Sequence, residues 1–98
     1  MPPRARRIDA NQRELIKVFE RLGYSVVDTS AVGEGYPDLN VGKGGYTWLV
    51  EVKSKVGTLT PDQIKFRASW RGNYVLVRDV DDVLAQFGRA SSGRTPGT

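Results

Sequence analysis

Residues 38–53 have the sequence DLNVGKGGYTWLVEVK, which is two extended runs separated by a glycine-rich segment at 42–45. Such glycines favour a tight turn, so the two runs are predicted to pair as an antiparallel hairpin. Side chains alternate between the two faces of a strand, which places Glu51 and Lys53 on one face. The hairpin also returns the chain so that Asp38, at the start of the first run, lies beside the end of the second. We therefore expect Asp38, Glu51 and Lys53 to converge at one end of a sheet.

Helical and extended patterns alternate around this hairpin. The predicted helices cover residues 9–22, 60–71 and 81–87, and the further predicted strands cover residues 24–29 and 74–78. The second helix has a clear start, with Thr60 as N-cap, Pro61 at the first helical position and Gln63 placed to close a capping box. The run at 74–78 is almost continuously apolar, which is typical of a strand covered on both faces, and we expect it inside the sheet. The predicted fold is α/β, a small α/β/α sandwich with a mixed sheet of about four strands in the order α-β-β-β-α-β-α.

The length of 98 residues allows one domain with one modest core. Residues 1–8 are predicted to form a basic flexible arm, residues 9–87 the folded domain, and residues 88–98 a disordered tail. No run approaches the roughly 18 apolar residues of a membrane span, and the N-terminus does not resemble a secretion signal. We expect a cytoplasmic protein without membrane contact.

The composition excludes several kinds of chemistry. The chain has no cysteine and no histidine, which removes disulfides, thiolate nucleophiles, Ser-His-Asp triads and zinc sites with sulfur or imidazole ligands. Carboxylates remain as metal ligands, and oxygen ligands favour magnesium, manganese or calcium. The net charge of +4 is a weak indication of a polyanionic partner.

The three converging side chains fit one hydrolytic site. Two adjacent carboxylates repel each other, and a divalent cation between them removes that penalty while leaving positions open to water and phosphate. Lys53 adds a positive charge that can orient an attacking water or stabilise a phosphodiester in its transition state. A structural interpretation also exists, in which Glu51 and Lys53 form a solvated ion pair and Asp38 belongs to an ordinary turn after Pro37.

The pattern resembles the PD-(D/E)XK nuclease superfamily, here as Pro37-Asp38 followed by Glu51-Val52-Lys53. The closer likeness is to small stand-alone VRR-NUC domains, many of them phage-encoded. It rests on four segments in the same order: NQREL at 11–15, GYPDL at 35–39, VEVK at 50–53 and LTPDQ at 59–63. The family's Val-Arg-Arg signature is only partly present, as Val-Arg-Asp at 77–79, which puts a phosphate-binding role for a second arginine in doubt.

The resemblance implies a metal site for Mg²⁺ or Mn²⁺. By that resemblance Asp38 and Glu51 bind the ion, the backbone carbonyl of Val52 adds a ligand, and Glu14 completes the site from the first helix. Glu14 lies on the border of the apolar helix stripe rather than opposite it, which leaves room for this role. The alternative is that Glu14 is one of several solvent-facing charges on the helix.

The same resemblance implies further roles. Lys53 would assist the attacking water, and Gln63 matches a functional position although it already has a structural role in the capping box. Arg78, in the partial signature, is a candidate DNA contact. The residues themselves suggest further candidates, namely Arg4, Arg6 and Arg7 in the basic arm, Ser30 before the glycine loop, and Lys55.

Small members of this family resemble Holliday-junction resolvases. We therefore expect an endonuclease that nicks branched DNA, most simply four-way junctions, as a homodimer, since one chain offers one site and a paired cut needs two. The alternatives are a nuclease for flap, nicked or single-stranded DNA and a DNA-binding accessory module that does not cut. No organic cofactor is expected.

Overall fold

A computed structural model of the protein describes residues 10–88. The predicted basic arm and the predicted tail from residue 89 onward lie outside the described residues, as does Asp9, the predicted start of the first helix. The helices are α1 (Ala10–Arg21), α2 (Pro61–Ser69) and α3 (Val80–Val83), the last continued by a π-helical turn (Leu84–Gly88), and the strands are β1 (Ser25–Asp28), β2 (Leu39–Lys43), β3 (Tyr46–Val52) and β4 (Asn73–Val77). The predicted α/β order is confirmed. Within the described part, none of the helices has the length and hydropathy needed to cross a membrane.

The four strands form one mixed sheet in the order β1-β2-β3-β4. The first two pairings are antiparallel, and β4 joins β3 in parallel after the crossover through α2. The prediction that the apolar run at 74–78 lies inside the sheet is wrong, because β4 is an edge strand and only its Val77 is buried. Its apolar residues are divided between the two faces of the sheet. Val75 and Val77 face the main core, while Tyr74 and Leu76 lie on the opposite face of the sheet, the face that carries Glu51.

The hairpin turn is shorter than predicted. Lys43 pairs with Tyr46, so only Gly44 and Gly45 connect the two strands, whereas the sequence indicated a turn over residues 42–45. Both glycines have positive φ, 62° and 85°. Two-residue hairpin loops that match the twist of the strands require this conformation, which glycine adopts without a steric penalty.

The main core lies between the sheet and the helices α1 and α3. It consists of buried side chains from all of these elements: Leu15, Val18, Phe19, Tyr24, Leu39, Val41, Val50, Val77, Val83 and Phe87. The aromatic rings of Phe19, Tyr24 and Phe87 meet edge to face at centroid distances of 4.9 to 5.7 Å. The apolar stripe predicted for the first helix is therefore the one that packs on the sheet.

The helix α2 covers the opposite face and has no fully buried residue. Its Phe66 contacts Tyr36 and Tyr74 with ring centroids 5.3 and 6.5 Å away. The predicted capping box is confirmed, whereas the helix ends at Ser69 rather than near Arg71. This face is thinly covered, and the candidate site lies at its edge, under the first turn of α2.

Candidate active site

Asp38 and Glu51 meet because of the hairpin register. Leu39 is paired with Val50, which sets the preceding residue Asp38 opposite Glu51 at the end of the sheet. The Oδ2 atom of Asp38 accepts a hydrogen bond of 2.9 Å from the backbone N–H of Val52. Lys53 follows on the same strand face as Glu51, with 3.9 Å between its Nζ atom and Oε2 of Glu51. The structure thus brings together the three residues that the sequence placed at one sheet end.

Glu51 is the most buried polar side chain of residues 10–88, with 1% of its surface exposed. Its Oε2 atom accepts a 3.1 Å hydrogen bond from Nε2 of Gln63. No hydrogen-bond donor of the described residues reaches its Oε1 atom. A buried carboxylate with one oxygen lacking a donor is costly, because desolvation penalises the charged form.

That cost shows in the protonation of the two carboxyl groups. Burial raises the pKa of Glu51 to about 8, and the charge of Asp38 and the hydrogen bond between the two carboxyls act in the same direction, with Lys53 opposing them. Burial also raises the pKa of Asp38, against the N–H of Val52, the bond with Glu51 and the charge of Lys53. Two ionised carboxylates side by side also repel each other, which favours a proton on one of them. At neutral pH the pair therefore holds about one proton, mostly on Glu51.

Gln63 closes the predicted capping box and also contacts Glu51. Its Oε1 atom accepts the backbone N–H of Thr60 at 2.9 Å, while Oγ1 of Thr60 accepts the backbone N–H of Gln63 at 3.2 Å. The capping box uses the amide oxygen, so the amide nitrogen is directed to Glu51. The helix cap therefore fixes which end of the amide faces the carboxylate.

Lys53 is held from two sides. Its backbone N–H donates to the Val77 carbonyl at 3.1 Å, and only 16% of its side chain is exposed. A Cβ built on Gly57 would lie 3.6 Å from Cδ of Lys53, so the chain after the strand packs along the aliphatic stem. The ammonium group is thereby kept near Glu51.

Comparison of the chain with protein-family models, with curated proteins and with solved structures finds no significant match. The resemblance to PD-(D/E)XK nucleases rests on the sequence segments described above.

Tyr74 is a neighbour of the site that the sequence assigned only to an apolar strand. Burial raises the pKa of its phenol, and the charges of Glu51 and Asp38 raise it further, while Arg67 lowers it. The guanidinium of Arg67 lies over the Tyr74 ring, 5.5 Å from the centroid. Tyr74 is paired with Leu49, two residues before Glu51, which brings its ring to the site. The sequence could have indicated this proximity only if the pairing of β4 with β3 had been known.

Glu14 is not brought to the carboxylate pair. Its side chain is exposed on α1, where it lines a shallow depression with Ala10, Arg13 and Lys17. Among residues 10–88, no three carboxylate side chains lie close enough to hold one metal ion. The role of Glu14 as a ligand remains a prediction.

The donor set of the site nevertheless fits a hard divalent cation. It offers two adjacent carboxylates, one with a buried oxygen that has no donor. It also offers a backbone carbonyl. The N–H and C=O of one strand residue point to the same side, and because the N–H of Val52 meets Asp38, the Val52 carbonyl is directed to that side as well. Carboxylate and carbonyl oxygens are the ligands that Mg²⁺ and Mn²⁺ take in proteins.

The predicted DNA contacts differ in their surroundings. Ser30 forms a local turn, since its N–H and its hydroxyl both donate to Oδ1 of Asp28 at 2.9 and 2.6 Å. Arg78 donates to backbone carbonyls of the chain after β3, whereas Lys55 in that segment is exposed. Arg4, Arg6 and Arg7 lie outside the described residues.

Proposed function

We propose that this chain is a divalent-metal-dependent nuclease that hydrolyses phosphodiester bonds in DNA. The observation that supports this best is the Glu51 carboxylate, which lies buried beside Asp38 with one oxygen lacking a donor. A protein that only needed to fold would be more stable with an apolar or amide side chain here. Such a costly pair of acids next to a lysine is typical of a functional site.

In the proposed site Asp38, Glu51 and the Val52 carbonyl would hold Mg²⁺ or Mn²⁺. When bound, the ion supplies positive charge that neutralises the two carboxylates and offsets the negative charge of the reacting phosphate. Asp38 and Glu51 would give up the proton they share on holding the ion, so about one proton should be released near neutral pH.

The side chains around the carboxylates have distinct roles in the proposed reaction. Lys53, 3.9 Å from Glu51, is placed to orient the attacking water or to stabilise the charge on the phosphate. Gln63 fixes the orientation of Glu51 through its amide nitrogen. The Gln63 amide is held by the backbone of Thr60 and the Lys53 stem packs beside Gly57, so little reorganisation is needed when substrate binds.

The proposed substrate is branched DNA, with the four-way junction as first choice, cut by a homodimer in the cytoplasm, or in the host cytoplasm for a phage-encoded protein. A symmetric dimer would supply the second site that a paired cut needs. Flap, nicked and single-stranded DNA are the alternative substrates. An equilibrium sedimentation mass equal to one chain at micromolar concentration would count against the dimer.

Cleavage by Glu51→Gln tests the proposal, with Glu20→Gln as the matched control. Glu20 is exposed on α1, so the same substitution is made once inside and once outside the proposed site. We expect metal-dependent cleavage by the wild type and the control and none by Glu51→Gln, which should still bind DNA. Equal cleavage by both variants would eliminate the proposed site. Binding without cleavage by the wild type would favour the accessory module instead.

A further inference from the structure

Residues 54–57 form a turn directly after Lys53, and Arg78 holds it. The Gly57 N–H donates to the Ser54 carbonyl at 3.2 Å, which closes the turn. Nη1 of Arg78 donates to the carbonyls of Ser54 at 2.6 Å and of Gly57 at 2.8 Å, with a longer contact of 3.4 Å to Lys55. One guanidinium nitrogen thus joins both ends of the turn.

Arg78 is itself fixed by two other elements. Its backbone N–H donates to Oδ2 of Asp82 at 2.7 Å, and its carbonyl accepts from Nδ2 of Asn11 at 3.1 Å. These contacts connect the 54–57 turn, through Arg78, to α3 and to the first turn of α1. The turn is therefore ordered by long-range contacts as well as by its own hydrogen bond.

This ordered turn presents an apolar side chain to solvent. Val56 is 86% exposed, the highest value among the exposed large apolar side chains of the described residues. Lys55 precedes it at the tip and is also exposed. The other end of the turn packs along the stem of Lys53, so the tip stands next to the candidate active site. Exposed valine gains nothing in folding, and ordering a loop costs conformational entropy.

We propose that the 54–57 turn is a nucleic-acid contact, in which Lys55 meets a backbone phosphate and Val56 packs against the sugar and base edges beside the cut strand. The charges agree with a polyanionic partner, since Lys53, Lys55 and Arg78 all lie in or beside the turn. Apolar side chains on such cationic surfaces are used to contact or separate neighbouring bases. A turn ordered before binding lowers the entropy cost of the complex. In this arrangement Arg78 is a positioning residue and does not itself touch phosphate.

The proposal rests on the proposed nuclease function, and binding without metal separates the two. Fluorescein-labelled four-way junction and linear duplex are titrated with protein in EDTA, and anisotropy is measured at several salt concentrations. Val56→Ser should weaken binding about tenfold, because the two methyl groups that pack against the sugar and base edges are lost. The salt slope should stay unchanged. Lys55→Ala should lower the slope by about one. The control is Val27→Ser, an exposed valine on β1 at 59%, which should bind as the wild type does.

Arg78→Lys tests the positioning role. It retains the charge but not the planar fork, so affinity should fall several-fold with the salt slope retained. Hydrogen exchange of the Gly57 amide should become faster, which a direct phosphate contact by Arg78 would not predict.

An unchanged affinity of Val56→Ser would overturn the turn proposal while leaving the nuclease proposal intact. If the wild type binds neither DNA in EDTA, the turn proposal fails, whereas cleavage with Mg²⁺ or Mn²⁺ still decides the nuclease proposal. A loss of dimer mass in Val56→Ser without a change in the affinity of the chain for DNA would make Val56 a contact between copies, and would likewise overturn the proposal.

Discussion

Replacing Glu51 with glutamine should stabilise the metal-free protein at neutral and alkaline pH. The substitution keeps the size of the side chain and an oxygen that can accept from Nε2 of Gln63. It removes the ionisable group whose pKa is raised by burial and by Asp38. It also provides amide N–H donors beside the Asp38 carboxylate.

The size of the effect follows from the two pKa values of Glu51, 4.5 in an ordinary environment and about 8 in the fold. Between these values the unfolded chain has released the proton while the folded chain still binds it. The free energy of unfolding therefore falls as the pH rises from about 4.5 to 8. For this one group the loss is about 2 kcal/mol at pH 6 and about 4 kcal/mol at pH 8. Small domains are stable by only about 5–15 kcal/mol, so this loss is a large fraction of the total.

The assay is urea unfolding in EDTA at pH 4, 6 and 8, followed by tryptophan fluorescence. At each pH, the free energy of unfolding of the wild type is subtracted from that of Glu51→Gln. The difference found at pH 4 is then subtracted from the differences found at pH 6 and pH 8. Any effect of the substitution that does not depend on pH then cancels. We expect this quantity to rise with pH by the amounts given above, and Glu20→Gln to show no such rise. Parallel stability curves for the wild type and Glu51→Gln would refute the assignment of Glu51 as a buried, costly acid. The same variant should lose cleavage, which is the usual relation between stability and activity at a functional site.

Four other substitutions or additions test the surroundings of the site. Lys53→Ala should reduce turnover at least tenfold with a smaller change in metal affinity. Turnover is measured by steady-state cleavage, and metal affinity by titration with Mn²⁺. Gln63→Glu should keep the capping box and hence the melting temperature within a few degrees, yet reduce cleavage strongly, because it replaces the N–H donor to Glu51 with a third carboxylate. Millimolar Mn²⁺ should raise the melting temperature of the wild type at pH 8 and leave that of Asp38→Ala unchanged. Deletion of residues 4–7 should weaken DNA binding and flatten its salt dependence, and an identical titration curve would mean that the arm does not contact DNA.

The sequence predicted the elements whose signals are local. The glycine-rich hairpin and the Thr60 cap are encoded within a few residues, and both are present in the structure. The convergence of Asp38 with Glu51 also follows from a short loop, because a two-residue turn leaves little freedom in register.

Features that depend on distant parts of the chain were missed or misplaced. An apolar run such as that of β4 predicts a strand covered on both faces, but it does not reveal that one side of the strand has no neighbour. The capping box was visible, whereas the second bond of Gln63 spans the gap from α2 to β3 and depends on how the helix packs. The bonds of Arg78 to the 54–57 turn cross more than 20 residues and were not foreseen, while its predicted contact with DNA stays a prediction. Local patterns carry no information on such contacts.

Cleavage of defined DNA substrates tests the central claim most directly. Purified wild type and Asp38→Ala are incubated with labelled four-way junction, flap, linear duplex and single-stranded DNA, with Mg²⁺ or Mn²⁺ and with EDTA. We predict metal-dependent cleavage by the wild type, with symmetrical nicks in the junction, and none by Asp38→Ala. Cutting of flap or single-stranded DNA alone would retain the nuclease and discard the junction. Absence of cleavage of every substrate, or equal cleavage by Asp38→Ala, would contradict the proposal that Asp38 and Glu51 form a nuclease site.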